Sequence, residues 1–134
     1  MTARKTAAGS GRSPRAPAAR GRGGSAYVPD RGHVVWLDFD PQAGHEQAKR
    51  RPAVVLSPAS YNGVTSLALC CPVTSQVKGY PFEVAMPAGG KAQGVALADQ
   101  VRSLDWRARK AAYLDALPAT AVAQILARAR ALLS

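Results

Sequence analysis

The chain is short of acids: eight Asp and Glu face eighteen Lys and Arg in 134 residues, a formal net charge of +10. It has two cysteines, Cys70 and Cys71, and they are adjacent. Neighbouring residues of a strand point to opposite faces, so no structural disulfide joins this pair. With no histidine close by they form no zinc pattern, and no metal site is expected. Reduced thiols fit a cytoplasmic protein. The basic N-terminal stretch is not followed by an apolar segment, which excludes a secretory signal. No apolar run approaches the roughly 18 residues of a membrane helix, so no membrane span is expected. There is no GxGxxG, no P-loop and no alternating strand–helix pattern. Nucleotide-driven chemistry is therefore not expected, and no cofactor is assigned.

What is present is unevenly distributed. Residues 1–26 hold six cations (Arg4, Lys5, Arg12, Arg15, Arg20, Arg22) and no acid, and they contain no Leu, Ile, Val or aromatic residue. Such a segment cannot bury enough apolar surface to offset its ordering entropy, so a disordered basic tail is expected. An organellar transit peptide would share this Arg-rich, acid-poor composition, but the plain tail is the preferred reading. Residues 27–134 carry the remaining twelve cations and all eight acids, a net +4. That balance suits a polyanion partner without demanding one.

The body, residues 27–134, reads as one domain. Val34–Phe39 is rich in β-branched and aromatic residues and predicts a strand. Pro52–Ser57 predicts a second strand, apolar throughout and hence central. Tyr61-Asn62-Gly63 predicts a turn. Leu67–Thr74 predicts a third strand, with Pro72 marking an edge or a bulge. Tyr80–Met86 and Val95–Val101 predict two more, Leu104–Trp106 continues or leaves the last of them, and Ala111–Leu114 predicts a short sixth. Pro118 suits a first helical position. Val122, Ile125, Leu126, Ala129, Leu132 and Leu133 then recur at steps of three and four, the stripe of a C-terminal helix. Short strands followed by a helix predict a mainly β fold with appended helices, a small, partly closed barrel with the C-terminal helix packed on it.

The segment Gly44–Ser57, GHEQAKRRPAVVLS, organises the chemistry. Its first half is polar and its second half apolar, with Pro52 at the junction. Proline is tolerated at a strand's first residue and biases Arg51 before it towards an extended backbone. Arg51 is thus expected at the mouth of a buried strand, at the end of a polar loop. Three cations, Lys49, Arg50 and Arg51, lie beside Glu46 and His45. Guanidinium for a phosphate, with Glu or His for proton transfer, makes a candidate phosphodiester site. On residue types alone, a solvated basic loop accounts for the same pattern and ranks ahead.

Four runs fall in one order: GHVVWLDFDP (32–41), GHEQAKRRPAVVLSP (44–58), PVTSQVKGYPFEV (72–84) and GVALADQVRSLDWRAR (94–109). Together they resemble the MazF/PemK family, the ribonuclease toxins of bacterial toxin–antitoxin pairs. The resemblance covers residues 27–134 and leaves out the tail. It implies an SH3-like barrel acting as a homodimer. It implies metal-independent, sequence-selective cleavage of single-stranded RNA by the RNA's own 2′-OH, leaving a cyclic phosphate and a free 5′-OH. It also implies a cognate antitoxin whose acidic C-terminal segment lies over the RNA groove. By position, the family's catalytic arginine falls on Arg51, its catalytic threonine on Thr74, and a loop carboxylate important in close relatives on Glu46.

In-line attack by a 2′-OH needs a proton acceptor, donors for a dianionic phosphorane, and a proton for the leaving 5′-oxygen. Arg51 fits the second role, a planar fork matched to two phosphate oxygens. A guanidinium holds its proton too firmly for ready acid or base work. Thr74 offers a hydroxyl donor, although a strand threonine needs no functional explanation. Glu46 is a candidate base. His45 departs from the small polar residue of close relatives and is assigned to substrate choice or pH response. His33 reads as structural or surface. Lys49, Arg50, Lys78 and Arg102 could track phosphates, and Gln76 could read a base edge. Phe39 could stack a base or pack in the core. Trp36 and Trp106 read as core or interface anchors. Two other functions remain open on the sequence: a non-catalytic toxin binding a protein target such as gyrase, since the same barrel serves both, and a nucleic-acid-binding module with a basic tail.

Overall fold

A computed structural model of the chain describes residues 27–39 and 50–134. The expected tail 1–26 and the loop residues Glu46, His45 and Lys49 lie outside the described residues. The element order is β1 (His33–Asp38), β2 (Arg50–Val55), α1 (Ala59–Thr65), β3 (Leu67–Thr74), β4 (Glu83–Ala85), β5 (Val95–Leu97), β6 (Arg102–Asp105), β7 (Ala112–Ala116) and α2 (Ala119–Ala131). The sheet runs β4-β5-β3-β2-β1-β7, every pairing antiparallel, and β6 joins β3 off this path. The path does not return on itself, so this is a mainly β, partly closed barrel with appended helices.

Alternation along β1, β2 and β3 builds two cores, one on each face of the central strands. Val34, Val54, Cys71 and Val73 face one core, which α2 covers with Ala121, Val122 and Ile125. Val35, Leu37, Ala53, Val55 and Cys70 face the other, which Leu104 and Trp106 complete. Burial on both faces is why these strands read as continuous apolar runs. Cys70 and Cys71 are free, each in a different core, and burial pushes both thiols up to about 12.

Several boundaries differ from those the sequence predicts. β2 begins at Arg50, so Pro52 is its third residue, paired with Trp36, and Arg51 lies inside the strand rather than at its mouth. The extended bias that proline imposes on Arg51 lets the strand run back through it. Tyr61-Asn62-Gly63 is not a turn but the middle of α1. Asn62 is fully buried there. Its Nδ2 donates to the carbonyls of Pro29 and Ser57, each at 2.9 Å, and its Oδ1 accepts from the Ser57 hydroxyl at 2.6 Å. These tertiary bonds override its local preference for turns. Pro72 marks neither an edge nor a break in the β2–β3 register. It sits in the central strand, where β3 changes partner from β6 (paired to Leu67–Cys70) to β5 (paired to Val73 and Thr74). A residue without an N–H fits that changeover. The strand expected over Tyr80–Met86 shrinks to β4, and that expected over Val95–Val101 ends at Leu97, with β6 a separate strand. Pro118 is the residue before α2 rather than its first. Of the tryptophans, Trp106 is buried and donates from Nε1 to the Asn62 carbonyl, whereas Trp36 is partly exposed.

His33 is structural. The Tyr27 hydroxyl donates to its Nδ1 at 2.7 Å, and the Asp30 N–H approaches the same nitrogen at 3.2 Å. Burial lowers its pKa from the ordinary 6.5, against a smaller raising effect from Asp30. The unfolded chain therefore takes up this proton first. His33's contribution is intact above about pH 6.5 and is lost as pH falls through the lower folded value. The urea midpoint is expected to drop as pH is lowered below about 6.5, with a shallower slope in His33→Gln. Equal slopes in the two proteins would contradict this.

Candidate functional site

The site lies at the end of β1, β2 and β3 where Phe39, Arg51 and Thr74 are found. Phe39 follows β1 and closes that core, 9% exposed. Two guanidiniums stand over its ring, Arg51 at 5.7 Å and Arg102 at 5.9 Å from the centroid. Cations over an aromatic face are held by the ring quadrupole, so Phe39 gathers two positive charges at the edge of the second core. Of the two roles open to Phe39, the geometry displays core packing, with Arg51 and Arg102 approaching its ring.

Consecutive residues on β2 part company here. Arg51 lies on the face of Ala53, Val55 and Leu37. Arg50 lies on the opposite face, where Nη1 meets Asp38 Oδ1 at 2.8 Å and Nη2 donates to the Lys110 carbonyl at 2.7 Å. Arg50 thus fastens β1 and β2 to the 106–110 turn instead of joining the cluster around Phe39. Arg109 has a related role that nothing in the residue pattern signals: its Nη1 donates to the Asp38 and Phe39 carbonyls at 3.1 and 2.6 Å. Two of the cations in this neighbourhood are therefore rivets. Among the described residues the Arg51 guanidinium makes no hydrogen bond, and its contact is the Phe39 ring.

Thr74 ends β3. The β2–β3 register pairs Ala53 with Pro72, Val54 with Cys71 and Val55 with Cys70. Continued by two residues, the same antiparallel count sets Arg51 opposite Thr74, on one face. The Thr74 Oγ1 accepts the Gln76 N–H at 3.1 Å. With that lone pair occupied, the hydroxyl hydrogen can be donated elsewhere. Gln76 and Lys78 follow on an exposed loop, away from the packed cluster. The loop is clamped by Glu83, whose carboxylate accepts the Lys78 and Gly79 N–H groups at 3.0 and 2.9 Å. Glu83 reads in the sequence only as the polar member of an alternating strand, so this clamp had no signal there. The structure thus groups Phe39, Arg51 and Arg102 and keeps Arg50 apart, while Thr74 ends the strand that neighbours β2. Among the described residues no three His, Cys, Asp or Glu side chains cluster as metal ligands would.

The chain matches the family described as PemK-like, MazF-like toxin of type II toxin–antitoxin system over residues 30–133. It is 61% identical to the endoribonuclease toxin MazF of Escherichia coli K12 over 87 residues, 65% of this chain and 78% of that protein. It is 35% identical over 109 residues to the endoribonuclease PemK of Escherichia coli, 78% of this chain and 82% of that protein. The crystal structure of MazF from Deinococcus radiodurans superposes with a TM-score of 0.74 at 60% identity, covering 81% of this chain and 98% of that one. A MazE–MazF complex from the same organism gives a TM-score of 0.72 at 54% identity, covering 81% and 97%.

Proposed function

The chain belongs to the PemK-like, MazF-like toxin family, and from that premise we propose that it is the endoribonuclease toxin of a type II toxin–antitoxin pair. Its substrate is single-stranded RNA, cut at selected sequences so that translation stops. The observation that carries the reading is the gathering of the Arg51 and Arg102 guanidiniums over the Phe39 ring, with Thr74 ending the strand that neighbours β2.

The chemistry follows from what each group can do. The substrate's 2′-OH attacks the adjacent phosphorus in line, forming the 2′-O–P bond as the P–O5′ bond breaks. Products are a 2′,3′-cyclic phosphate and a 5′-OH. Negative charge grows on the non-bridging oxygens in the transition state. Arg51 meets it with a fixed guanidinium and Thr74 with a hydroxyl hydrogen, donors that gain strength as that charge develops. Glu46, outside the described residues, takes the 2′-OH proton, and the leaving 5′-oxygen takes a proton from water to become the 5′-OH. Arg102, Lys78 and Lys49 follow neighbouring phosphates, Gln76 reads a base edge, and His45 adjusts substrate choice. No metal is needed for these roles.

An antitoxin with an acidic C-terminal segment complements the cationic site and competes with RNA for it. The protein works as a homodimer. An apolar groove of about 440 Å³ between Tyr61, Leu69 and the end of α2, with Leu133 86% exposed, supports that reading, since a second copy would cover it. No helix among the described residues is long and apolar enough to cross a membrane. A cytoplasmic location fits an RNA substrate.

The test is a varied pool of single-stranded RNA and its DNA counterpart, each incubated with purified protein in EDTA. RNA cut at a recurring sequence with DNA intact is expected. Intact RNA from protein that still arrests growth would replace the nuclease with a toxin that binds a protein target.

A further inference from the structure

Gly94 directly precedes β5, at φ +106°. A methyl group added to its Cα would run into the Thr74 carbonyl oxygen and lie 2.8 Å from the Ser75 Cα. Both obstacles are backbone atoms, so neither can swing aside as a side chain would. The approach is part of the sheet: Val95 pairs with Thr74, and the Gly94 carbonyl accepts the Met86 N–H at 2.9 Å. β4 and β5 thus press the Gly94 backbone against Thr74. From the other direction the Gln76 N–H fixes the Thr74 hydroxyl oxygen.

We propose that Gly94 is a positioning residue for cleavage: its bare Cα lets β5 close onto Thr74 and fixes where the Thr74 hydroxyl stands relative to Arg51. This inference rests on the nuclease reading and adds a residue to it. A displacement of about 1 Å at a group that must meet the transition state is enough to cost on the order of a hundredfold in rate. RNA affinity depends on cations elsewhere and should change little.

A second glycine separates the collision from the cost of a positive φ. Gly89 has φ +86°, yet a methyl group there would meet nothing within 4 Å. Gly89→Ala therefore carries the conformational cost without the collision.

Single-turnover cleavage is measured first for the wild-type protein, whose failure to cut any RNA would end the nuclease reading itself. Given a cutting wild type, Gly94→Ala is expected to cleave about a hundredfold more slowly while binding a 2′-deoxy, uncleavable analogue within about threefold. Gly89→Ala should cleave at close to the wild-type rate. In a Thr74→Ala background, Gly94→Ala should add almost nothing, because the residue through which it acts is already gone. Cleavage by Gly94→Ala at the wild-type rate would overturn the proposal. So would full additivity with Thr74→Ala, or a loss in Gly89→Ala equal to that in Gly94→Ala. If Gly94→Ala does not fold, backbone order in the free wild-type protein gives the answer. Thr74 and Val95 amides as rigid as the core strands are expected, with order parameters near about 0.85, and values below about 0.6 would overturn the proposal.

Discussion

Arg51→Ala is expected to cut RNA about a thousandfold more slowly than the wild type, a loss of roughly 4 kcal/mol of transition-state stabilisation. Affinity for an uncleavable RNA should change only a few-fold, and its salt dependence should fall by about one phosphate contact. The asymmetry comes from geometry. Arg51 stands over the Phe39 ring, and in the proposed mechanism its charge meets the one that develops in the transition state. In the proposed mechanism Arg102, over the same ring, and the exposed Lys78 still hold the backbone of the RNA. Arg51→Lys keeps the charge but loses the planar fork, and should recover only part of the rate. Arg50→Ala is the contrast on the same strand. Its ties to Asp38 and Lys110 are structural, so its loss should appear in unfolding before it appears in cleavage. Single-turnover rates and binding of the analogue measure both. A rate for Arg51→Ala within about threefold of the wild type would remove Arg51 from the chemistry.

The largest stability effect is expected far from the site, at Asn62. Asn62→Ala takes away three buried hydrogen bonds at once. The carbonyls of Pro29 and Ser57 lose their donor, and the Ser57 hydroxyl loses its acceptor. Each buried polar group left alone costs about 1–3 kcal/mol, and the side chain leaves a cavity. A net loss of about 3 kcal/mol is expected, with a thermal midpoint lower by roughly 10 °C. Val64→Ala, on the same short helix but 84% exposed, should stay within about 0.5 kcal/mol of the wild type. Thermal and urea unfolding of the two variants check this. A loss below about 1 kcal/mol in Asn62→Ala would mean that water or a shifted Ser57 replaces the missing bonds.

Asn62 also shows where reading the sequence stops. Tyr61-Asn62-Gly63 has the composition of a turn, and only the distant partners Pro29 and Trp106 explain why a helix forms there instead. β1, β2 and β3 were legible because most of their residues on both faces are buried, which writes an apolar run into each. α2 was legible because one face is buried and the other is not. Strand ends were less so. Nothing local says that β2 reaches back to Arg50, or that Pro72 is tolerated in a central strand because β3 exchanges one neighbour for another beside it. Within the candidate site, Arg51 and Thr74 are assigned from the motif runs that carry the family resemblance. Their division of labour with neighbours was not legible there. Arg50 and Arg51 are adjacent cations in the sequence, and only the pleat sends one to Asp38 and the other to Phe39. Arg109, Glu83 and Gly94 act on the site through backbone atoms, and a backbone contact leaves little trace in residue type.

Attack by the 2′-OH is tested most directly by comparing a cleavable RNA oligonucleotide with one bearing a single 2′-deoxy nucleotide on the 5′ side of the cut bond, the products weighed by mass spectrometry. The unmodified strand is expected to yield a 2′,3′-cyclic phosphate and a 5′-OH, and the single missing hydroxyl to abolish cutting at that bond. Equal cutting of both strands, with a 5′-phosphate on the product, would contradict attack by the 2′-OH and with it the roles of Arg51 and Thr74 in stabilising the phosphorane.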